Sequence, residues 1–166
     1  KYSIVILLPV LLIGLVAAAS LAAAGSNQKP QNSEKFVTID VPWADSTIAA
    51  MGISATGDVV GIYQDGLIVR GFLMRKGVYQ AIDFPDANVL KTYSSKINPE
   101  GTIIGTVETP GDCPHCAPWL QGIFRGFTLK KDAYTPFTIP GAFYTWAYDI
   151  NPRGEMAGEF QRDEPN

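Results

Sequence analysis

The sequence carries no charge between Lys1 and Lys29, has only two cysteines, Cys113 and Cys116, and holds a single histidine, His115. Two Cys and one His cannot complete the four-ligand shell of a structural zinc site. Basic residues are also scarce. Setting Lys1 aside, 12 basic side chains face 16 acidic ones. No basic run exceeds Arg75-Lys76 or Lys130-Lys131, which excludes the electrostatic footprint of a nucleic-acid binder. A Gly-rich phosphate loop, a nucleophile elbow and calcium-loop spacing are all missing. These absences leave no catalytic, cofactor-binding or metal-ligating residue to assign. Helical periodicity is missing too. The 16 Gly and 12 Pro of this 166-residue chain interrupt any such pattern beyond residue 30.

What is present begins with an apolar stretch, Ile4 to Ala24, that follows one basic residue and ends in a small-residue series. A short positive region, a hydrophobic region and an Ala-rich end make up a secretory signal. Ala22-Ala23-Ala24 offers a cleavage site before Gly25. The same length of apolar chain can span a bilayer as an anchor helix, but the Ala-rich end favours a signal. We therefore assign 1–25 to a signal peptide or membrane-anchor helix, 26–35 to a polar linker, and 36–166 to the folded domain. Either reading exports the domain to the periplasm, the cell surface or the medium. Contact with membrane is then expected only through an uncleaved N-terminal segment.

Three segments of the domain align with one another: Gly52-Ile53-Ser54-Ala55-Thr56-Gly57-Asp58-Val59-Val60-Gly61, Lys96-Ile97-Asn98-Pro99-Glu100-Gly101-Thr102-Ile103-Ile104-Gly105, and Asp149-Ile150-Asn151-Pro152-Arg153-Gly154-Glu155-Met156-Ala157-Gly158. Arg70-Gly71-Phe72-Leu73 and Arg125-Gly126-Phe127-Thr128-Leu129 recur between them. A third motif appears at Thr38 to Ala44, Ala81 to Ala87 and Phe137 to Ala142. With Ile53, Ile97 and Ile150 as markers the periods are 44 and 53 residues, the longer one containing an insertion at about 111–121. Each period reads as four short strands, at 48–53, 59–63, 67–74 and 78–84, then 92–97, 102–107, 122–129 and 134–139. Four antiparallel strands in this length form the blade of a β-propeller. The fold expected is all-β, a partial propeller of four-stranded antiparallel blades behind the N-terminal apolar segment. A β-solenoid or an open stack of sheets is the rival. Pro42, Pro85 and Pro140 end the fourth strands, so these should lie at a sheet edge. Phe36 to Val41 matches a fourth strand without its first three, and should be unpaired or weakly paired. The missing initiator Met and a stop inside the third repeat lead us to expect a fragment of a longer protein.

The series Ile-Asn-x-x-Gly-x-Ile-x-Gly, Arg-Gly-Phe-x-Leu and Tyr-x-x-Ile-Asp-x-Pro-Gly-Ala resembles the HAF-type probable extracellular repeats of bacterial proteins. The resemblance covers Phe36 to the end. Ile97 to Gly101 and Ile139 to Ala142 match most closely, while Ser54, Trp43 and Asp86 depart from the motif. It implies an extracytoplasmic, propeller-like protein of undefined activity and supplies no catalytic residues.

Cys113-Pro114-His115-Cys116 has the spacing of a thiol oxidase, but it lacks the helix N-terminus that would stabilise a thiolate. Ala117 stands where a c-type haem site needs His. A disulfide between Cys113 and Cys116, shaping an exposed loop in an oxidising compartment, is the simpler expectation. Trp119, in the same insertion, is a candidate loop contact. Trp43 and Trp146 fall within the repeat and are expected to pack between units. Asp83 with Asp86, or Glu108 with Asp112, are the carboxylate pairs available for glycoside hydrolysis. Because Asp40 and Asp83 recur with the repeat, a turn-capping role is expected of them. The functional expectation is a non-enzymatic scaffold or binding module for a protein or glycan. The alternative is an extracellular polysaccharide hydrolase or lyase.

Overall fold

The computed structural model describes residues 4–8, 35–111 and 122–162, and every regular element among them is a strand. The first two, β1 (Ile4–Leu8) and β2 (Lys35–Ile39), pair antiparallel over five residues. A four-stranded antiparallel meander follows, comprising β3 (Ser46–Ile53), β4 (Val59–Asp65), β5 (Ile68–Arg75) and β6 (Val78–Ile82). The next meander repeats this order with β7 (Lys91–Ile97), β8 (Ile103–Pro110), β9 (Gly122–Lys130) and β10 (Ala133–Phe137). A hairpin of β11 (Ala142–Ile150) and β12 (Met156–Arg162) follows.

Three features depart from the sequence reading. The second sheet has six strands instead of four, because β11 joins β9 in parallel at Tyr144–Phe124. Its cause is length: five-residue β10 covers only Gly126–Lys130 and leaves the first half of β9 with an open edge. Secondly, Ile4–Leu8 is extended and not helical, with its backbone groups paired to β2. The remainder of the apolar segment lies outside the described residues. Thirdly, the same pairing gives β2, expected to be unpaired or weakly paired, an antiparallel partner over five residues. The expected placement of Pro-bearing fourth strands holds, since β6 and β10 each have one neighbour.

The Ile-Asn-x-x-Gly motif has a physical origin in the loop joining the first two strands of each unit. Asn98 donates its N–H to the Thr102 carbonyl (3.0 Å), and its own carbonyl accepts from Gly101 (3.0 Å). Its side-chain Oδ1 accepts from the Thr102 N–H (2.9 Å). Asn151 makes the same three bonds to Gly154 and Glu155, and Ser54 makes them to Gly57 and Asp58 with its hydroxyl as acceptor. The glycine closing each loop has φ between 76° and 85°, a conformation costly for other residues. Asn98 also reaches the third loop, donating from Nδ2 to the Asn151 carbonyl (3.2 Å). Removing the Asn98 side chain orphans a loop amide, so Asn98→Ala is expected to lose about 1–3 kcal/mol. Asn98→Ser should lose less, because Ser54 fills this role in the first loop. Urea midpoints at unchanged slope check both values.

The sheets meet face to face, and a Gly–Phe pair organises each contact. Gly61 on β4 lies directly opposite Phe72 on β5, and Gly105 on β8 opposite Phe127 on β9. A Cβ on Gly61 would meet the Phe72 ring at 2.6 Å, and one on Gly105 the Phe127 ring at 2.6 Å. The ring therefore needs the glycine, which is why the two motifs travel together. Phe72 packs with Ile39, Val41, Val59 and Tyr63. Phe127 packs with Ile82, Val60, Leu73 and Ile103, and with Phe84 at 5.8 Å between ring centroids. Each Phe thus docks on the strand end that precedes its unit. A threonine latches that strand end to the next sheet: Val41, Phe84 and Ile139 donate their N–H groups to the hydroxyls of Thr47, Thr92 and Thr145 (2.9, 3.4 and 3.4 Å).

Candidate functional site

The Arg of each Arg-Gly-Phe motif lies two residues before the docked Phe and so shares its face at the rim of the sheet. On β5, Arg70 Nη1 donates to Asp83 Oδ1 at 2.8 Å, and its Nε lies 3.5 Å from Asp65. The ion pair spans the mouth between β5 and the segment after β6. The space beside it is about 90 Å³, lined by Ile68, Arg70, Asp83, Phe84 and Thr92 among others. Asp83 is therefore an ion-pair partner and not the turn cap expected. Asp86 does cap a turn, its Oδ1 accepting from the Asn88 N–H at 2.9 Å. With one carboxylate paired and the other capping, Asp83 and Asp86 do not form an acid–base couple.

Arg125 occupies the same position on β9, and Thr138, one residue beyond the last β9–β10 pair of Phe137 with Gly126, stands where Asp83 does in the aligned motif. Among the described residues no ion pair holds the Arg125 guanidinium across the mouth. The space opens to a cleft of about 610 Å³, lined by Ile123, Arg125, Pro136, Phe137, Thr138, Gly141, Ala142 and Phe143. It combines one exposed cation, a hydroxyl and two aromatic rings. A planar guanidinium in such a setting recognises a carboxylate or phosphate through paired N–H donors. Phe137 and Phe143 offer apolar faces beside it.

Glu108 behaves differently from a catalytic acid. It is buried on β8, and Lys91 Nζ lies 2.8 Å from its Oε2. Burial, reinforced by the neighbouring Glu108 charge, raises the Tyr93 phenol well above its usual range. Asp112, the partner considered for Glu108, lies outside the described residues, as do Cys113, Cys116 and Trp119.

Next to this pair lies an aromatic cluster. Tyr93 on β7 is 5.0 Å from Trp146 on β11, and Phe124 lies 5.3 Å from Tyr144 and 5.7 Å from Trp146. Trp146 thus packs between units as expected, while Trp43 packs edge-on against Tyr63 at 6.3 Å and Tyr79 at 6.4 Å. Tyr144 and Tyr148 both donate to Glu159 Oε1, at 2.9 and 2.7 Å. Burial, then the bond to Glu159, raises Tyr144 far above an ordinary phenol; the bond to Glu159, then burial, raises Tyr148. Both remain neutral donors near neutral pH, which suits packing and not proton transfer. Among the described residues no group of three or more His, Cys, Asp or Glu side chains could hold a metal ion. Nor does any helix among them have the length and apolarity to cross a membrane.

The Arg125 cleft was not identified from motifs, because Arg70 and Arg125 look equivalent there. The readable signal was the change from Asp83 to Thr138 at aligned positions. Comparison with protein-family models, with curated proteins and with solved structures finds no match to this chain.

Proposed function

We propose that the chain is an extracytoplasmic binding module of propeller-like four-stranded units, and that the Arg125 cleft receives a carboxylated glycan. The observation that carries this reading is the contrast between two aligned positions. Asp83 neutralises Arg70 and narrows its cleft, whereas Thr138 offers Arg125 no carboxylate and, among the described residues, Arg125 lines an open cleft without an ion-pair partner. The guanidinium takes the carboxylate, and Phe137 and Phe143 lie where the apolar face of a sugar ring would rest. Export rests on the uncharged stretch from Tyr2 to Gln28, and the assignment to HAF-type repeats rests on the motifs alone. The lock of Lys91 on buried Glu108 favours binding over the hydrolase or lyase alternative.

Calorimetric titration with an oligogalacturonate, against a neutral malto-oligosaccharide, tests the reading. Binding is expected for the acidic glycan only, weakening as salt screens the exposed charge. Arg125→Ala should reduce affinity by about 10- to 100-fold, the worth of one charge-assisted hydrogen-bonded contact. Arg125→Lys should recover part of it, because the charge survives without the paired donors. Equal affinity of wild type and Arg125→Ala would remove the cleft from the account.

A further inference from the structure

Asp83 and Thr138 occupy equivalent places in the backbone as well as in the motif. Each stands one residue beyond the last pair between the third and fourth strands of its unit, Ile82 with Gly71 and Phe137 with Gly126. Each also precedes a latched residue, since the N–H groups of Phe84 and Ile139 donate to Thr92 and Thr145. The chain is therefore fixed on both sides of Asp83, by pairing at Ile82 and by the latch at Phe84. What remains able to turn is the side chain, which is 44 % exposed at the mouth. Exposed side chains change rotamer within nanoseconds and need no backbone movement to do so.

The Arg70 guanidinium already holds a carboxylate, and the chain itself supplies it: Nη1 donates to Asp83 Oδ1 at 2.8 Å. Water reaches both partners, and a pair so placed is weakly held because each charge keeps much of its solvation. Beside the pair lies the space of about 90 Å³ bordered by Arg70, Asp83 and Thr92. A single water needs about 10–15 Å³ of free space, so this one admits the three heavy atoms of a carboxylate. The connection from Phe84 to Thr92 is two residues longer than that from Ile139 to Thr145, and it brings Val89 and Leu90 to the mouth. Asp65, 3.5 Å from Arg70 Nε, is a second acid within reach of the guanidinium.

We propose that Arg70 is a second carboxylate site of the same kind as Arg125, held shut by the chain's own Asp83, which stands in for the ligand. The ligand class, the uronate of a glycan, rests on the reading of the Arg125 cleft; closure by Asp83 rests on the geometry of the first unit alone. An incoming carboxylate must displace Asp83 from Nη1 and then lie beside its negative charge. At Arg125 the aligned residue is Thr138, which imposes neither cost. The state of Arg70 that can bind is the minor one, and its affinity is lowered by the fraction of molecules in which the guanidinium is released. The chain thus fills Arg125 first, and the residue at position 83 sets whether one site or two are open.

The isotope-labelled full chain is titrated with oligogalacturonate while the Nε–H magnetic-resonance signals of Arg70, Arg75 and Arg125 are followed, each assigned by its Arg→Lys variant. In the wild type the Arg70 signal should move only at concentrations at least tenfold above those that move Arg125. In Asp83→Thr, which gives the first unit the residue of the second, it should move at concentrations at least tenfold lower than in wild type. Asp83→Thr combined with Asp65→Asn serves where Asp65 takes over the guanidinium, and release of Arg70 in either variant supports the proposal. Both changes fall on exposed side chains, and the amide signals of the same spectra report that the fold is kept. An Arg70 signal that stays still in both variants, or that moves together with Arg125 in the wild type, would overturn the proposal. So would equal movement of Arg75, held by Asp58 at 2.8 Å, because that marks non-specific attraction of charge. An unmoved Arg125 beside an Arg70 released in Asp83→Thr would sink the reading of the Arg125 cleft and support closure by Asp83.

Discussion

Phe127→Ala is expected to destabilise the protein by about 3–5 kcal/mol, the range for deleting a buried phenyl ring. The ring is fully buried and packs with Phe84 and Tyr134 at 5.8 and 5.7 Å between centroids. It also fills the space that Gly105 keeps open, so truncation leaves a void bounded partly by backbone, which relaxes poorly. A total stability of about 5–15 kcal/mol makes this a large fraction of the whole. Phe160→Ala, on the exposed β12 edge, should cost well under half as much. Chemical denaturation of the two variants against wild type checks the difference. Similar losses would mean that the Gly–Phe contact is not the organising feature of the inter-sheet core.

The second large effect is expected at Lys91. Lys91→Met leaves Glu108 buried without its counter-charge and should cost about 3–5 kcal/mol near neutral pH. Lys91→Met combined with Glu108→Met should recover most of the loss, since an apolar pair of similar volume replaces the buried carboxylate and its half-buried counter-charge. The sign of the coupling is the test, read from a double-mutant cycle of unfolding free energies. Additive losses in the double variant would show that Lys91 and Glu108 act independently.

Much of the fold is legible in the sequence because its local chemistry repeats. Asn98 and Asn151, with Ser54 as their weaker counterpart, mark a five-residue loop, and the strands on either side begin and end within three residues of the expected places. The glycines at 61, 105 and 158 recur with the repeat for a local reason, a cross-strand carbonyl close to each of the three and an opposing Phe ring beside two. The threonine latch of Thr47, Thr92 and Thr145 escaped notice, since the spacing to its partner changes from six residues to eight and back to six. Pairing of Ile4–Leu8 with β2 escaped for a different reason. An uninterrupted apolar run has no period, so nothing in it selects strand over helix. At the candidate site the motif hid the difference that matters. Arg70 and Arg125 share a signature, and among the described residues the difference lies in the residue aligned across the sheet, Asp83, which pairs with Arg70, or Thr138.

That single difference allows a direct test, because it can be reversed without touching Arg125. Thr138→Asp places a carboxylate where Asp83 stands opposite Arg70 and should rebuild the 2.8 Å pair seen there. An exposed pair of this kind contributes only about 0–1 kcal/mol, so the variant should fold and unfold like wild type. Its affinity for oligogalacturonate should nevertheless fall at least tenfold, as for Arg125→Ala, because the guanidinium is now occupied and the cleft carries a competing negative charge. Calorimetric titration of Thr138→Asp beside wild type gives the answer. Loss of binding at unchanged stability is the predicted result, and wild-type affinity in the variant would contradict the assignment of Arg125 as the ligand-binding group.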